Sequence, residues 1–97
     1  MNDLKKNEDD FNVLRKINYN PNISQRELAK ELNLSLGKIN YCLRELKKKG
    51  LVKIENFKIN KNKINYAYIL TPKGISQKTK LTINFMKRKM QEYEELK

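Results

Sequence analysis

Seven residues of one short stretch, SLGKINYCLRELKKKG (residues 35–50), are suited to meeting another molecule: Ser35, Lys38, Asn40, Tyr41, Arg44 and Lys48 through their side chains, and Gly37 through its lack of one. The chain contains no histidine, so Ser24 and Ser35 lack the usual base that would activate a nucleophile. They read as helix caps. Hydrogen bonding is the chemistry that remains. In a major groove, arginine can bond guanine through two acceptors and asparagine can do the same with adenine. Tyr41 can contact a phosphate or lay its ring against a thymine methyl. A helix starting at Ser35 would also offer free backbone N–H groups to a phosphate oxygen. Gly37 would let that helix start approach a duplex closely. Glycine inside a helix costs about 0.5–1 kcal/mol relative to alanine, and close approach is the expected compensation.

These side chains reach a partner together only if one helix presents them. At about 100° per residue, Ile39, Leu43 and Leu46 share one side of a helix over 35–49, with Cys42 on its border. Gly37, Asn40, Tyr41, Arg44 and Lys48 fall opposite, and Lys38 lies on the shoulder. Cys42 is therefore expected as a small core residue rather than a redox sensor. Gly50 should stop the helix, with Lys47, Lys48 and Lys49 at its negative end.

Upstream, a helix over 8–19 carries Val13, Leu14 and Ile17 near one stripe, with Asp10 close to it and Phe11 beside it. Asp9 and Asp10 are expected in its opening turn as solvated partners of the helix dipole. Pro21 ends it. A second helix spans 24–32. Ser24 and Glu27 have capping-box spacing, Ile23 can staple onto Leu28, and Leu28, Ala29 and Leu32 form the apolar stripe. Asn33 and Leu34 make a tight turn into Ser35. Two short helices joined this way form a helix-turn-helix pattern.

After Gly50 the hydrophobic period changes. LVKIENFK (51–58) and INYAYILT (64–71) read as strands around a polar tip at 59–63. Lys58, Asn60, Lys61, Asn62 and Lys63 would make this a basic wing that meets the nucleic-acid backbone or the adjacent minor groove. Thr71 and Pro72 then cap and open a last helix over 73–96. Ile83, Met86, Met90 and Tyr93 follow 3-4-3 spacing along it, flanked by Leu81, Phe85 and Leu96. At 1.5 Å per residue such a helix runs to about 36 Å, longer than one small domain can cover. Ile83, Phe85, Met86, Met90 and Tyr93 are therefore expected to pair with a second copy. The fold class is mainly α with a small β-hairpin: a winged helix-turn-helix domain over 8–72 and a long C-terminal dimerisation helix over 73–97.

The totals agree with this organisation. The net charge is +11, and the excess begins after the first twenty residues, which are balanced. A polyanion suits such a surface because neutralising phosphates releases counterions. Most of the basic residues are lysine, so charge alone does not decide the partner. A single cysteine permits no intramolecular disulfide, and without histidine it builds no zinc site. No metal or other cofactor is expected. The opening MNDLKKNEDD has no apolar segment of the signal-peptide kind. The longest apolar run, Tyr66 to Leu70, is far short of the roughly 20 residues that span a bilayer. A cytoplasmic, non-membrane protein is the expectation. An enzyme is not expected, since there is no phosphate-cradling glycine loop and no carboxylate pair held in a cleft.

The runs SQRELAKELNLSLGKINYCLRELKKKGLVK and NFKINKNKINYAYILTPKGI closely resemble MarR-type regulators associated with exopolysaccharide gene clusters in bacteria, with SLGKINYCL and YAYILTPKGI the most telling phrases. The resemblance covers about residues 9 to 95. It implies a winged-helix transcriptional regulator encoded near polysaccharide biosynthesis genes, acting on double-stranded DNA. Typical members are longer and dimerise through helices at both ends, often around an effector crevice. Here the N-terminal helix is short, which leaves residues 75–96 as the expected dimerisation element and any small-molecule effector unassigned. Two other readings fit the same residues: a winged-helix adaptor that uses Asn40, Tyr41 and Arg44 as a protein interface, and a non-specific architectural DNA binder.

Overall fold

The computed structural model describes the backbone of residues 3–60 and 63–96, and the side chains of residues 5–55 and 66–96. Three helices come first: α1 (Asp3–Tyr19), α2 (Gln25–Leu32) and α3 (Leu36–Lys48). An antiparallel hairpin follows, β1 (Val52–Asn60) with β2 (Lys63–Leu70), and then one long helix, α4 (Pro72–Glu95).

The core is where the apolar periodicities converge. Val13, Leu14 and Ile17 of α1, Leu28 of α2, and Ile39 and Leu46 of α3 are almost completely excluded from solvent. Each such side chain contributes about 1.5–3 kcal/mol of transfer free energy. The helix boundaries follow local chemistry. Ser24 Oγ accepts from Glu27 N at 3.0 Å, and Glu27 Oε1 accepts from Ser24 N at 3.2 Å, so the capping box is closed. Asn33 takes the left-handed conformation (φ 55°) that ends α2, one that asparagine tolerates better than most residues. Ser35 then caps α3.

Two expectations are corrected. First, α1 begins at Asp3 rather than at residue 8. No glycine or proline interrupts the segment, and the Lys5–Asp9 pair at i, i+4 supports the added turns. Asp9 and Asp10 consequently sit in mid-helix and are not solvated dipole partners. Asp9 is buried, with Oδ1 3.4 Å from Lys5 Nζ and Oδ2 3.4 Å from Lys38 Nζ. Asp10 Oδ1 accepts from the Cys42 thiol at 3.2 Å. Second, the strands run closer to the tip than expected. Asn60 pairs with Lys63, and an irregularity between Lys58 and Asn60 absorbs the extra residue, Ile59. Lys61 and Asn62 lie outside the described residues, as do the side chains of Lys58, Asn60 and Lys63.

One corner joins the end of α3, the start of β1 and the start of α4. Gly50 takes a positive φ of 76° as the chain leaves α3, and Leu51 N donates back to Leu46 O at 2.9 Å. Thr71 N donates to Leu51 O at 3.0 Å. The Thr71 hydroxyl donates to Gly50 O at 2.6 Å while its oxygen accepts from Gly74 N at 3.0 Å. Gly74 lies so close that a Cβ there would overlap the Leu51 carbonyl oxygen. By contrast, a Cβ at Gly37 would meet nothing within 4 Å. On the other side of the hairpin, Tyr68 N donates to Pro21 O at 3.0 Å and ties β2 to the connection between α1 and α2.

The two glycines should therefore respond oppositely in chemical denaturation. Gly74→Ala is expected to lose roughly 1–3 kcal/mol through overpacking, and Gly37→Ala to gain up to about 0.5–1 kcal/mol of helix stability. The Cys42 thiol titrates well above the ordinary thiol range, because burial and then the neighbouring Asp10 charge disfavour the thiolate. Cys42 should consequently resist iodoacetamide at pH 7–8 in the native protein and react once denaturant opens the fold, as read by mass spectrometry.

Candidate nucleic-acid interface

The capped start of α3 places its two faces. Ser35 Oγ accepts from Lys38 N at 3.0 Å, which leaves the N–H groups of Leu36 and Gly37 without intrahelical partners. Ile39, Cys42, Leu43 and Leu46 point into the core. Ser35, Gly37, Lys38, Asn40, Tyr41, Arg44 and Lys48 are all exposed, as the helical wheel requires, and Tyr41 keeps 60% of its surface in solvent. Nothing inside the chain demands glycine at position 37. Among the described residues, Arg44, Lys47 and Lys48 make no ion pair, so three cations stand on this face with their charge uncommitted.

The face is not uniform across its width. On the flank toward α2, Asn40 Nδ2 donates to Gln25 Oε1 at 3.4 Å, and Gln25 Nε2 donates to Tyr68 Oη at 3.1 Å. Gln25 is the first residue of α2 and Tyr68 lies on β2. This hydrogen-bonded line joins α3, α2 and the hairpin. Sequence reasoning missed both residues. The signal available for Gln25 was its place immediately after the Ser24 cap, at a helix start beside the reading helix. Tyr68 gave no signal beyond its strand pattern. Arg26, also exposed on the first turn of α2, adds a cation near this flank.

The opposite flank turns toward α1. Lys38 directs its ammonium group to the buried Asp9 carboxylate, whose Oδ2 makes an ion pair there without hydrogen-bond alignment. A cleft of about 300 Å³ opens between Asp9, Lys5, Lys38, Tyr41 and Glu45. Asp10, on its floor, holds its proton to higher pH than an ordinary carboxyl because it is buried; the Cys42 hydrogen bond and Lys6 oppose that only in part. Of the charged side chains singled out on α3, Lys38 is therefore the one whose charge is already paired within the described residues.

The last helix divides lengthwise. Leu81 enters the core, and Phe85 packs on Phe11 with ring centroids 5.5 Å apart. Phe85 thus belongs at least partly to this chain's own interior. Ile83, Met86, Met90 and Tyr93 remain exposed, Met90 by 66%. A shallow apolar groove of about 410 Å³ runs past Phe85, Met86, Met90 and Tyr93, edged by Lys89 and Glu94. Among the described residues, no cluster of His, Cys, Asp and Glu could hold a metal ion, and no helix is long and apolar enough to cross a membrane.

Comparison with known proteins agrees with this architecture. Residues 7–53 match a family model described as winged helix-turn-helix DNA-binding. No curated protein matches the chain significantly. Among solved structures, the chain is similar to a MarR family protein of Mycobacterium tuberculosis in complex with p-aminosalicylic acid, with a TM-score of 0.63 and 23% identity over 77% of this chain and 55% of that one. It is also similar to FabT of Streptococcus pneumoniae in complex with DNA, with a TM-score of 0.63 and 22% identity over 95% of this chain and 59% of that one. A third is the multiple antibiotic-resistance repressor MarR of Listeria monocytogenes, with a TM-score of 0.61 and 26% identity over 92% of this chain and 59% of that one. The chain spans little more than half the length of such structures. Its helix-turn-helix, hairpin and long C-terminal helix together make the winged-helix fold of MarR regulators.

Proposed function

We propose that this chain is a MarR-like transcriptional regulator that binds a specific double-stranded DNA sequence as a homodimer. The observation that carries the reading is the outer face of α3. It presents Asn40 and Arg44, which match base edges, beside Lys47 and Lys48 without ion pairs, on a helix whose first N–H groups are open. FabT, of the same fold, was solved in complex with DNA. Helix α3 enters the major groove, with Arg44 and Asn40 on bases and Ser35, Tyr41 and Lys48 on or near phosphates. Gly37 allows close approach. Lys38 shifts the local field and positions α1 through Asp9 more than it reaches DNA. The wing residues Lys58, Asn60, Lys61, Asn62 and Lys63 meet the backbone or the flanking minor groove. The phrases SLGKINYCL and YAYILTPKGI support exopolysaccharide biosynthesis genes as the regulated set.

Dimerisation follows from α4. An apolar seam at heptad spacing is left exposed on a rod that outruns its own core. Pairing of Ile83, Met86, Met90 and Tyr93 with a second copy, with the edge of Phe85 included, relates two α3 helices by a two-fold axis. The operator is then roughly palindromic, with half-site centres about 10 bp apart or a multiple of it.

Selection of bound duplexes from a random library reads specificity and symmetry together. The parent should enrich a two-fold symmetric sequence, and Arg44→Ala should lose roughly 1–3 kcal/mol and relax one base position per half-site. Lys61→Ala with Lys63→Ala should instead weaken binding to every sequence and flatten the salt dependence. No enrichment by the parent would favour a protein-interaction adaptor, and binding without enrichment an architectural role. In sedimentation, Met86→Asp should yield monomers that bind operator more weakly through lost avidity; a parent monomeric at high micromolar concentration would remove the dimer.

A further inference from the structure

Reading a base with asparagine depends on which way its amide points. Toward adenine it must present Oδ1 to the exocyclic amino group and one Nδ2 hydrogen to N7. A free surface amide samples both orientations, because its oxygen and nitrogen ends are nearly the same size and shape. Asn40 is not free in this sense. One of its two Nδ2 hydrogens goes to Gln25 Oε1 at 3.4 Å, and Gln25 Nε2 goes in turn to Tyr68 Oη at 3.1 Å. The donors all point one way along this line, from α3 through α2 to the hairpin.

The line has two self-consistent states. In the one observed, Asn40 donates, Gln25 relays, and the Tyr68 oxygen accepts, so the phenol proton remains available to an outside acceptor. In the reversed state the Tyr68 hydroxyl donates to Gln25 Oε1, Gln25 Nε2 donates to Asn40 Oδ1, and Asn40 turns its two N–H groups outward. The reversed state spends the phenol proton inside the chain and spoils the adenine pattern. Tyr68 is half-buried and fixed through its backbone to Pro21, so it moves little between the two. An anionic oxygen beside the hairpin, such as a phosphate, accepts the phenol proton and favours the first state. Hydrogen bonds aligned head to tail reinforce one another.

We infer that Gln25 and Tyr68 are positioning residues: a phosphate contact made by Tyr68 sets, through Gln25, the amide orientation with which Asn40 reads an adenine. The inference rests on the DNA-reading role proposed above and adds to it. Specificity at one base pair is controlled from a strand that never touches that base.

The experiment is selection from a random duplex library, carried out with the parent chain, four single variants and one double variant. Asn40→Ala identifies the position that Asn40 reads by relaxing it. Tyr68→Phe and Gln25→Ala should each relax that same position by about tenfold, the scale of one bidentate contact, and leave preferences elsewhere intact. In the Asn40→Ala background, Tyr68→Phe should change no preference further. Gln25→Glu keeps the acceptor for Asn40 and should restore the preference, although its charge lowers affinity for all duplexes. A purely structural role would weaken every position alike and would show no such rescue. Should Tyr68→Phe fold poorly, Gln25→Ala carries the test, together with the Asn40 side-chain amide signals in the 15N spectrum of the free protein, which should shift in that variant. If the parent enriches a sequence and Asn40→Ala relaxes one position, but Gln25→Ala and Tyr68→Phe do not, the positioning role is overturned while the regulator stands. If Asn40→Ala relaxes nothing, Asn40 reads no base and the role is equally overturned. If the parent enriches nothing, the regulator reading falls first and this one with it.

Discussion

The contact between Gly74 and the Leu51 carbonyl holds the geometry together. It lies where α3 ends, β1 begins and α4 begins, and it lets three backbones meet at a separation that no side chain permits. Thr71 closes the same corner by bonding the backbones of Gly50, Leu51 and Gly74. With both in place, the start of α4 is held against the end of α3 by one backbone hydrogen bond and the two bonds of the short Thr71 hydroxyl. In the proposed dimer this corner sets the distance between the two α3 helices through the angle at which each leaves its own α4, and a loose corner would blur any preference for half-site spacing.

The charge pattern on α3 follows from the same economy of a small core. A chain of this length buries only about 60–65% of its unfolded surface, so it cannot shelter many polar groups. It does bury Asp9, and it offsets that burial with two ammonium groups, from Lys5 and Lys38. Removing the partners would leave an acid out of water without compensation, which is costly. Lys38 is thereby drawn to the α1 flank, while Arg44, Lys47 and Lys48 make no ion pair among the described residues. The helix is thus polarised across its width: one edge bonds to its own domain, the middle faces out, and the other edge is braced by Gln25 and Tyr68.

What could be read from the sequence divides along the range of the interaction. Ser24 with Glu27, Ser35, Asn33, Gly50 and, in its capping of Gly74 N, Thr71 act on neighbours within a few residues, and each appears where its local chemistry demands. The apolar faces of α1, α2 and α3 were legible for the same reason, since periodicity is a local property that burial then uses. The misreadings arose where distant segments meet. Asp9 and Asp10 looked like a solvated helix start because only the folded chain brings Lys38 and Cys42 to them. Gln25 and Tyr68 are far apart in sequence and meet only through tertiary packing. Gly74 carries no local signal in the first turn of α4, because its need for glycine comes from the Leu51 carbonyl, outside its own helix. Phe85 sits beside the heptad seam and is expected to face a second copy; its packing on Phe11 within the chain is a further contact that periodicity alone does not show.

That last residue shows how folding and assembly are joined in α4. The helix begins as core, through Gly74 and Leu81, passes Phe85 where the interior thins out, and continues as an exposed stripe of Met86, Met90 and Tyr93. From Leu81 onward Phe85, Met86, Met90 and Tyr93 follow one another at helical spacing. A chain with so small an interior gains by extending it across a second molecule, and association then stabilises the fold by mass action. The proposed pairing surface is thus anchored in the core: Phe85 packs on Phe11 of α1, and α1 reaches the proposed reading helix α3 through the Asp9–Lys38 ion pair, so static contacts within the chain join the two surfaces.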